Sequence, residues 1–311
     1  MKVAVCVCTY RRPRALARLL ASLRDQRFGG EPPAIELVVV DNGPDRSARP
    51  VVERWAGRLP WPVRYAVEPR TGIPAARNRS FAEAPDDADV VALIDDDDYA
   101  DAGWLRHLLD GLERYGVDVV TGPQVPVYGE DVPGWVARGG FFEGRRRPTG
   151  SRVRVAYTHN VAFRTAVLED LEHGLDEAFT GHGGADSEFF RRAEGTGHEI
   201  AWIDEAVVLN PVSRERASLG WLLRRYYRYG ISHGRIQRMH DEPLPRRLTR
   251  AGKMGGRALT SPLRLAARLH RGRSALAWLG VDWAMPAGYL LGWLGARYEE
   301  YPSPSDADAE G

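Results

Sequence analysis

Apolar residues recur along this chain in two rhythms, short unbroken runs and helical repeats, and the two alternate. Residues 3–8 are a continuous run of Val, Ala and Cys, the pattern of a strand buried on both faces. Pro13 then opens a helix with Leu16, Leu19, Leu20 and Leu23 at i, i+3, i+4 and i+7, and Gly29-Gly30 stops it. Leu37 to Val40 forms a second apolar run, cut off by the turn-forming Asp41-Asn42-Gly43. A strand over Val63–Val67, a helix from near Pro74 and a strand over Val90–Ile94 come next. Leu105, Leu108, Leu109 and Leu112 mark the next helix, and Val117–Thr121 the next strand. Strands alternating with helices predict an α/β fold around a mostly parallel sheet covered on both faces. Ligands bind such sheets beyond the carboxyl ends of the strands. Two of those ends are acidic: Asp41 closes one, and Asp95 to Asp98 close another.

The second half is less regular. Residues 124–152 are rich in Pro, Gly and Arg, lack periodicity and read as a long loop ordered by ligand. Then come a strand near Val153–Phe163, a helix from about Asp186, a strand over Ile200–Leu209 and a long Arg-bearing helix from Leu219 to about Met239. Beyond residue 241 the character changes. Nine Lys/Arg fall between Arg246 and Arg273 with no acid among them, and the apolar stretch Leu276–Ala296 is broken by Asp282 and Pro286. The pattern predicts one α/β domain over 1–240, a basic amphipathic helical extension over 241–301, and a polar, disordered tail over 302–311.

Composition narrows this picture modestly. The 311 residues, 43% hydrophobic and 27% charged, suit a soluble globular chain, and a net charge of +1 argues against a nucleic-acid coat. Cys6 and Cys8 are too close along one strand to bridge without strain, which implies a reducing compartment. The chain opens directly on its first strand without a signal-peptide pattern, so a cytoplasmic location is expected.

The run Asp95-Asp96-Asp97-Asp98 is the sharpest chemical signal. Four carboxylates at a buried strand end repel one another, and carboxylates spaced by one residue are able to converge on a divalent cation that neutralises a diphosphate. A solvated acidic turn or helix start explains the run equally well. Asp41 would accept from a base imide or a ribose hydroxyl, or simply shape a turn. Gly72 permits close approach, and Arg77 lies in the first turn of a helix where it would meet phosphate, or only water. Gly183-Gly184 leads into a helix carrying Asp186 and Glu188, which point to different sides because they are two residues apart. Asp186, nearest the glycines, is the favoured base for an acceptor hydroxyl, against the plain alternative of a helix-start acid.

The order of these motifs carries more than any one of them. Val5-Cys6-Val7-Cys8-Thr9-Tyr10-Arg11-Arg12-Pro13 resembles the opening strand of family 2 glycosyltransferases, which have the GT-A fold. Val38 to Gly43, Gly72 with Ala76-Arg77-Asn78, Leu93 to Asp98, Thr158 to Arg164, and Gly184-Ala185-Asp186 with Arg192 occur in that family's order, over roughly residues 1–235. The resemblance implies that Thr9, Tyr10 and Asp41 hold the nucleotide base and that Arg77 serves the nucleotide side. It implies that Asp95 and Asp97 form the DxD pair, Asp95 nearer the ribose and Asp97 on Mg²⁺ or Mn²⁺. Asp186 matches the catalytic base. The implied reaction is a single displacement on a nucleoside-diphosphate sugar, most often UDP-linked, with inversion at the anomeric carbon. Two departures stand out: Ala185 where the family has an acid, and Asn210 where many members have a histidine that some use on the metal. His159, His182 and His233 are candidates to replace it, and nothing in the sequence selects one.

The absence of a glycine fingerprint in the first strand–helix turn sets aside a dinucleotide-dependent oxidoreductase, and Met254 after Gly252-Lys253 a P-loop enzyme. A transferase of secondary metabolites and a catalytically silent relative of the same fold stay as alternatives. The acceptor is a glycan, a lipid-linked glycan or a small molecule, with a growing polysaccharide favoured. It is expected near Trp135, Phe141 and Phe142 of the 124–152 loop and near Glu188 and Arg192. The C-terminal extension is read either as peripheral contact with the inner face of the cell membrane, as packing on the catalytic domain, or as a homodimer contact.

Overall fold

The computed structural model describes residues 1–240 and 244–298; the expected tail over 302–311 lies outside the described residues. The strands are β1 (Lys2–Thr9), β2 (Ala34–Asp41), β3 (Val63–Val67), β4 (Val90–Asp95), β5 (Tyr99–Ala100), β6 (Val119–Thr121), β7 (Gln124–Tyr128), β8 (Arg152–Val153), β9 (Asn160–Arg164), β10 (Ile200–Trp202) and β11 (Val208–Val212). The helices are α1 (Pro13–Arg24), α2 (Arg49–Ala56), α3 (Ile73–Ala82), α4 (Trp104–Tyr115), α5 (Gly134–Ala137), α6 (Ala166–Glu169), α7 (Ala185–Gly195), α8 (Leu219–Met239), α9 (Leu244–Leu259), α10 (Ser261–Arg268) and α11 (Arg273–Trp293).

Among the described residues, an eight-stranded sheet runs in the order β3-β2-β1-β4-β9-β6-β10-β8, and β5-β11-β7 form a small second sheet. β1 pairs in parallel with both β2 and β4, and β2 with β3, whereas β9 runs antiparallel between β4 and β6. Apart from their end residues β1 and β4 are apolar and sit in the middle, where both faces are covered, which is why they show no polar alternation. Helix α1 buries the leucine stripe of its i, i+3, i+4, i+7 repeat, Leu16, Leu19, Leu20 and Leu23. The strand register sets Thr9 opposite Asp41, and Cys8 opposite Asp95. The carboxyl ends of β1, β2 and β4 therefore share one edge of the sheet, where the strand order reverses.

The chain divides into two compact units. One comprises Met1–Val127, Glu143–Thr180 and Ala185–Pro211; the other takes Tyr128–Phe142, Gly181–Gly184 and the chain from Val212 onward. The division expected near residue 240 falls inside the second unit, because α8 packs with α11 rather than ending the first. The stretch read as a long loop over 124–152 is also partly ordered, by β7 and α5. Two of its aromatics are core. Phe141 is buried and stacked on Trp278 with ring centroids 4.9 Å apart, and Phe142 is stacked on Trp221 at 5.5 Å. Phe141 and Phe142 are thus spent on packing the second unit and are not presented to a flat acceptor.

Candidate active site

The four aspartates after β4 alternate between burial and exposure. Asp96 and Asp98 are buried, whereas the side chains of Asp95 and Asp97 are 39% and 21% exposed. The alternation arises because a strand end turns over at the sheet edge, and it presents the pair spaced by one residue to the same opening. Each buried carboxyl is tied down. Thr9 Oγ1 donates to Asp96 Oδ2 at 2.7 Å, while Gln124 Nε2 donates to Asp98 Oδ2 at 2.7 Å and Asn210 Nδ2 donates to its other oxygen. Burial pushes Asp96 up to about 6 against the lowering charge of Arg12; burial and the charge of Asp95 push Asp98 up to about 8.

Two arginines face this acidic edge. Arg12, a residue the motifs alone do not single out, places Nη1 3.1 Å from both Asp96 and Asp97. Arg77 is 2% exposed and pairs through Nη2 with Asp95. Its Nε and Nη1 have no hydrogen-bond partner among the described residues. A buried guanidinium with unpaired donors is costly to keep, and the charge of Asp95 offsets part of that cost.

Asp41 is fully buried. Its carboxylate accepts from the Gly43 and Ala48 amides, at 2.9 and 3.0 Å, and from the Tyr65 hydroxyl at 3.0 Å. That leaves at most one of a carboxylate's roughly four acceptor positions for a nucleotide. Asn42 beside it stitches the edge together. Its amide nitrogen donates to the Glu68 and Arg70 carbonyls, and its oxygen accepts from the Gly72 amide at 3.0 Å. Gly72 opens α3 with φ of +137°, and a Cβ there would meet Thr180 Cγ2 at 2.6 Å, so only glycine fits. Tyr10 is exposed beyond β1, with Arg11 over its ring.

Asp186 lies in the first turn of α7, after Gly183 and Gly184, both at positive φ. Burial raises its carboxyl above the ordinary range; the Ser187 amide and the charge of His159 lower it, Asp95 raises it and Arg77 lowers it. Of these charges, Asp95 ends β4, Arg77 lies on α3 and His159 directly precedes β9. His159 stacks on the exposed ring of Tyr157 at 5.5 Å. Glu188 faces inward. It binds Arg192 Nε at 2.9 and 3.1 Å, and Arg192 also donates to the His173 and Gly174 carbonyls. That pair anchors the 173–174 turn. Trp135 belongs to the second unit, where its ring meets Phe141 edge-on.

Two partly exposed carboxylates suit Mg²⁺ or Mn²⁺, which are held by one or two protein carboxylates together with phosphate and water. Among the described residues no group of three or more His, Cys, Asp or Glu side chains is placed to hold a metal by itself. Asn210 turns its amide nitrogen to Asp98.

Comparison with known proteins fits this arrangement. The profile described as "Glycosyl transferase family 2" matches residues 4–172, and a second, "Glycosyl transferase family group 2", matches 90–295. The chain belongs to glycosyl transferase family 2. The glycosyltransferase is 32% identical over 305 residues to the succinoglycan biosynthesis protein ExoM of Rhizobium meliloti (strain 1021), covering 97% of this chain and 96% of that one. Its fold is that of the mannosyltransferase PcManGT from Pyrobaculum calidifontis, solved with GDP-Man and Mn²⁺, at a TM-score of 0.64 and 19% identity over 94% of this chain and 88% of that one. Residues 1–349 of TarS from S. aureus, solved with UDP, superpose at a TM-score of 0.54 and 18% identity, covering 97% and 95%. The GT-A fold of this glycosyltransferase therefore stands on both sequence and structure.

Proposed function

We propose that the enzyme transfers a sugar from a nucleoside-diphosphate donor, UDP-linked, to a hydroxyl of a growing polysaccharide, with inversion. What supports this reading is the partly exposed pair Asp95 and Asp97 at the end of β4, with the buried Arg77 paired to Asp95 and the charges of both Asp95 and Arg77 acting on Asp186. Thr9 and Asp41 frame the nucleotide end of that edge, and Tyr10 offers an exposed ring to the base. Arg77, buried and paired with Asp95, would bring its positive charge beneath the diphosphate. A divalent cation held by Asp95 and Asp97 would neutralise the negative charge that builds on the leaving diphosphate. Asp186 removes the proton of the acceptor hydroxyl as that oxygen bonds to the anomeric carbon from the face opposite the leaving group. Its raised carboxyl pKa makes the ionised form a stronger base than an ordinary aspartate. The bond from the anomeric carbon to the diphosphate oxygen breaks in the same step, so configuration inverts. The polysaccharide acceptor is taken from the relative named for succinoglycan biosynthesis.

Calorimetric titration of UDP, GDP and dTDP, with and without Mn²⁺, tests the donor site. UDP is expected to bind tightest, to need the metal, and to lose at least about tenfold in affinity in Asp97→Ala. If no nucleoside diphosphate binds under any condition, the reading fails.

A further inference from the structure

The catalytic reading leaves residues 244–298 without a task. They hold ten Lys/Arg and a single acid, Asp282, while the whole chain nets +1, so the compensating negative charge lies elsewhere. The acid does not offset the charge at the surface. Asp282 is 1% exposed, bound by Arg257 Nε at 2.8 Å, with Arg264 and Arg268 guanidinium nitrogens at 3.7 and 3.5 Å. This buried carboxylate on α11 holds α9 and α10 against it.

The exposed surface of these helices is apolar as well as basic. Leu248 and Leu259 on α9, Leu263 on α10, Leu269 just after it, and Trp283 and Leu290 on α11 are each more than half exposed. Single exposed leucines are ordinary, but a succession of them among cationic side chains across three adjoining helices is not. Beside them an open cleft of about 580 Å³ is lined by Trp135, Arg138, His270, Arg271 and Arg273. An indole among arginines suits the headgroup level of a bilayer, where an aromatic ring sits beside phosphate. No described helix is long and apolar enough to cross a membrane. A helix whose inner face is packed on α8 and whose centre holds a paired aspartate lies on a surface instead.

We propose that α9, α10 and the outer face of α11 dock on an anionic lipid bilayer, with the exposed leucines entering the interface and the arginines meeting lipid phosphates. A second copy docked through the same segment is disfavoured as the occupant, because it would bring like charges together. The proposal stands apart from the donor-site reading.

Vesicle flotation of the full chain tests it. The protein is expected to float with phosphatidylcholine vesicles that contain phosphatidylglycerol, not with phosphatidylcholine alone, and to be released by high salt. Leu259→Asp/Leu263→Asp and Arg246→Glu/Lys253→Glu should each reduce the bound fraction more than about tenfold. Unchanged far-UV circular dichroism and an unchanged UDP isotherm show that both variants are folded, and that isotherm reads the donor site separately. The proposal is overturned if the wild type ignores anionic vesicles, if it binds neutral ones equally, or if folded variants still float. It is equally overturned if sedimentation shows a dimer that Leu259→Asp/Leu263→Asp dissociates.

Discussion

Asp98 holds its proton more tightly in the folded chain than in an unfolded one, since burial, aided by the charge of Asp95, pushes it up to about 8. The folded state therefore binds the extra proton, and stability is full at low pH and falls as pH climbs from the ordinary carboxyl range through about 8. In chelator-treated protein, Asp98→Asn is expected to flatten the decline in Tm between the acid range and pH ~8; scanning calorimetry across pH checks it. Asp186 makes the opposite kind of demand, on rate rather than stability. Asp186→Asn should lower kcat by about 10²–10⁴ and leave donor KM near the wild-type value; a variant as fast as wild type would remove it as the base. The aspartates are legible in the sequence because they come directly after unbroken apolar runs. Arg12 and Asn42 are not: each sits inside a recognisable motif, but its partners, Asp96–Asp97 and Glu68–Arg70–Gly72, are far along the chain. Asn160 is likewise silent in the sequence. It is fully buried, accepts from Trp104 Nε1, and donates to the Pro123 and Ala206 carbonyls.

Helices α8 and α11 meet along four glycines. A Cβ on Gly230 or Gly234 would strike the Met285 or Tyr289 carbonyl oxygen, and one on Gly288 or Gly292 the Tyr227 or Ile231 carbonyl oxygen. Each pair is spaced by four, so both helices lay a smooth strip against the other's backbone. Gly234→Ala is expected to cost about 2 kcal/mol or more through overpacking, seen as a lower Tm. Asp282→Asn should act on the neighbouring helices: with Arg257, Arg264 and Arg268 left facing one another, α9 and α10 loosen, and their amides exchange faster in hydrogen-exchange measurements while those of β1 and β4 do not change. At this scale the sequence is legible wherever one pattern governs a whole element. The leucine repeats of α1 and α4, the apolar β1, β2 and β4, and the span of α8 all emerge from periodicity. Helix α2 and strands β5 and β7 do not, because each is short and held by tertiary contact rather than by a pattern of its own.

At the scale of the molecule, charge is segregated: the near-neutral total conceals a strongly basic C-terminal segment and a net acidic remainder. Opposite faces of different molecules should attract at low ionic strength, and added salt should disperse them. Light scattering across a salt series is expected to show size falling as salt rises; size independent of salt would count against exposed segregation. The two-unit division is hidden from the sequence for a related reason. Phe141 and Phe142 resemble loop aromatics because Trp221 and Trp278, their partners, lie far downstream.

That separation also sets a timetable for synthesis. The second unit's core joins Val132, Val136, Phe141 and Phe142 to Val212, Leu222 and Ala277. A ribosome releases these residues in order, so the early aromatics emerge long before the wall they lie against has been made. The sheet-bearing unit is complete once Pro211 has left the exit tunnel and is able to settle first. A message truncated between these two points would yield a product with a finished sheet and uncovered phenylalanines, the kind of chain that chaperones retain and proteases clear.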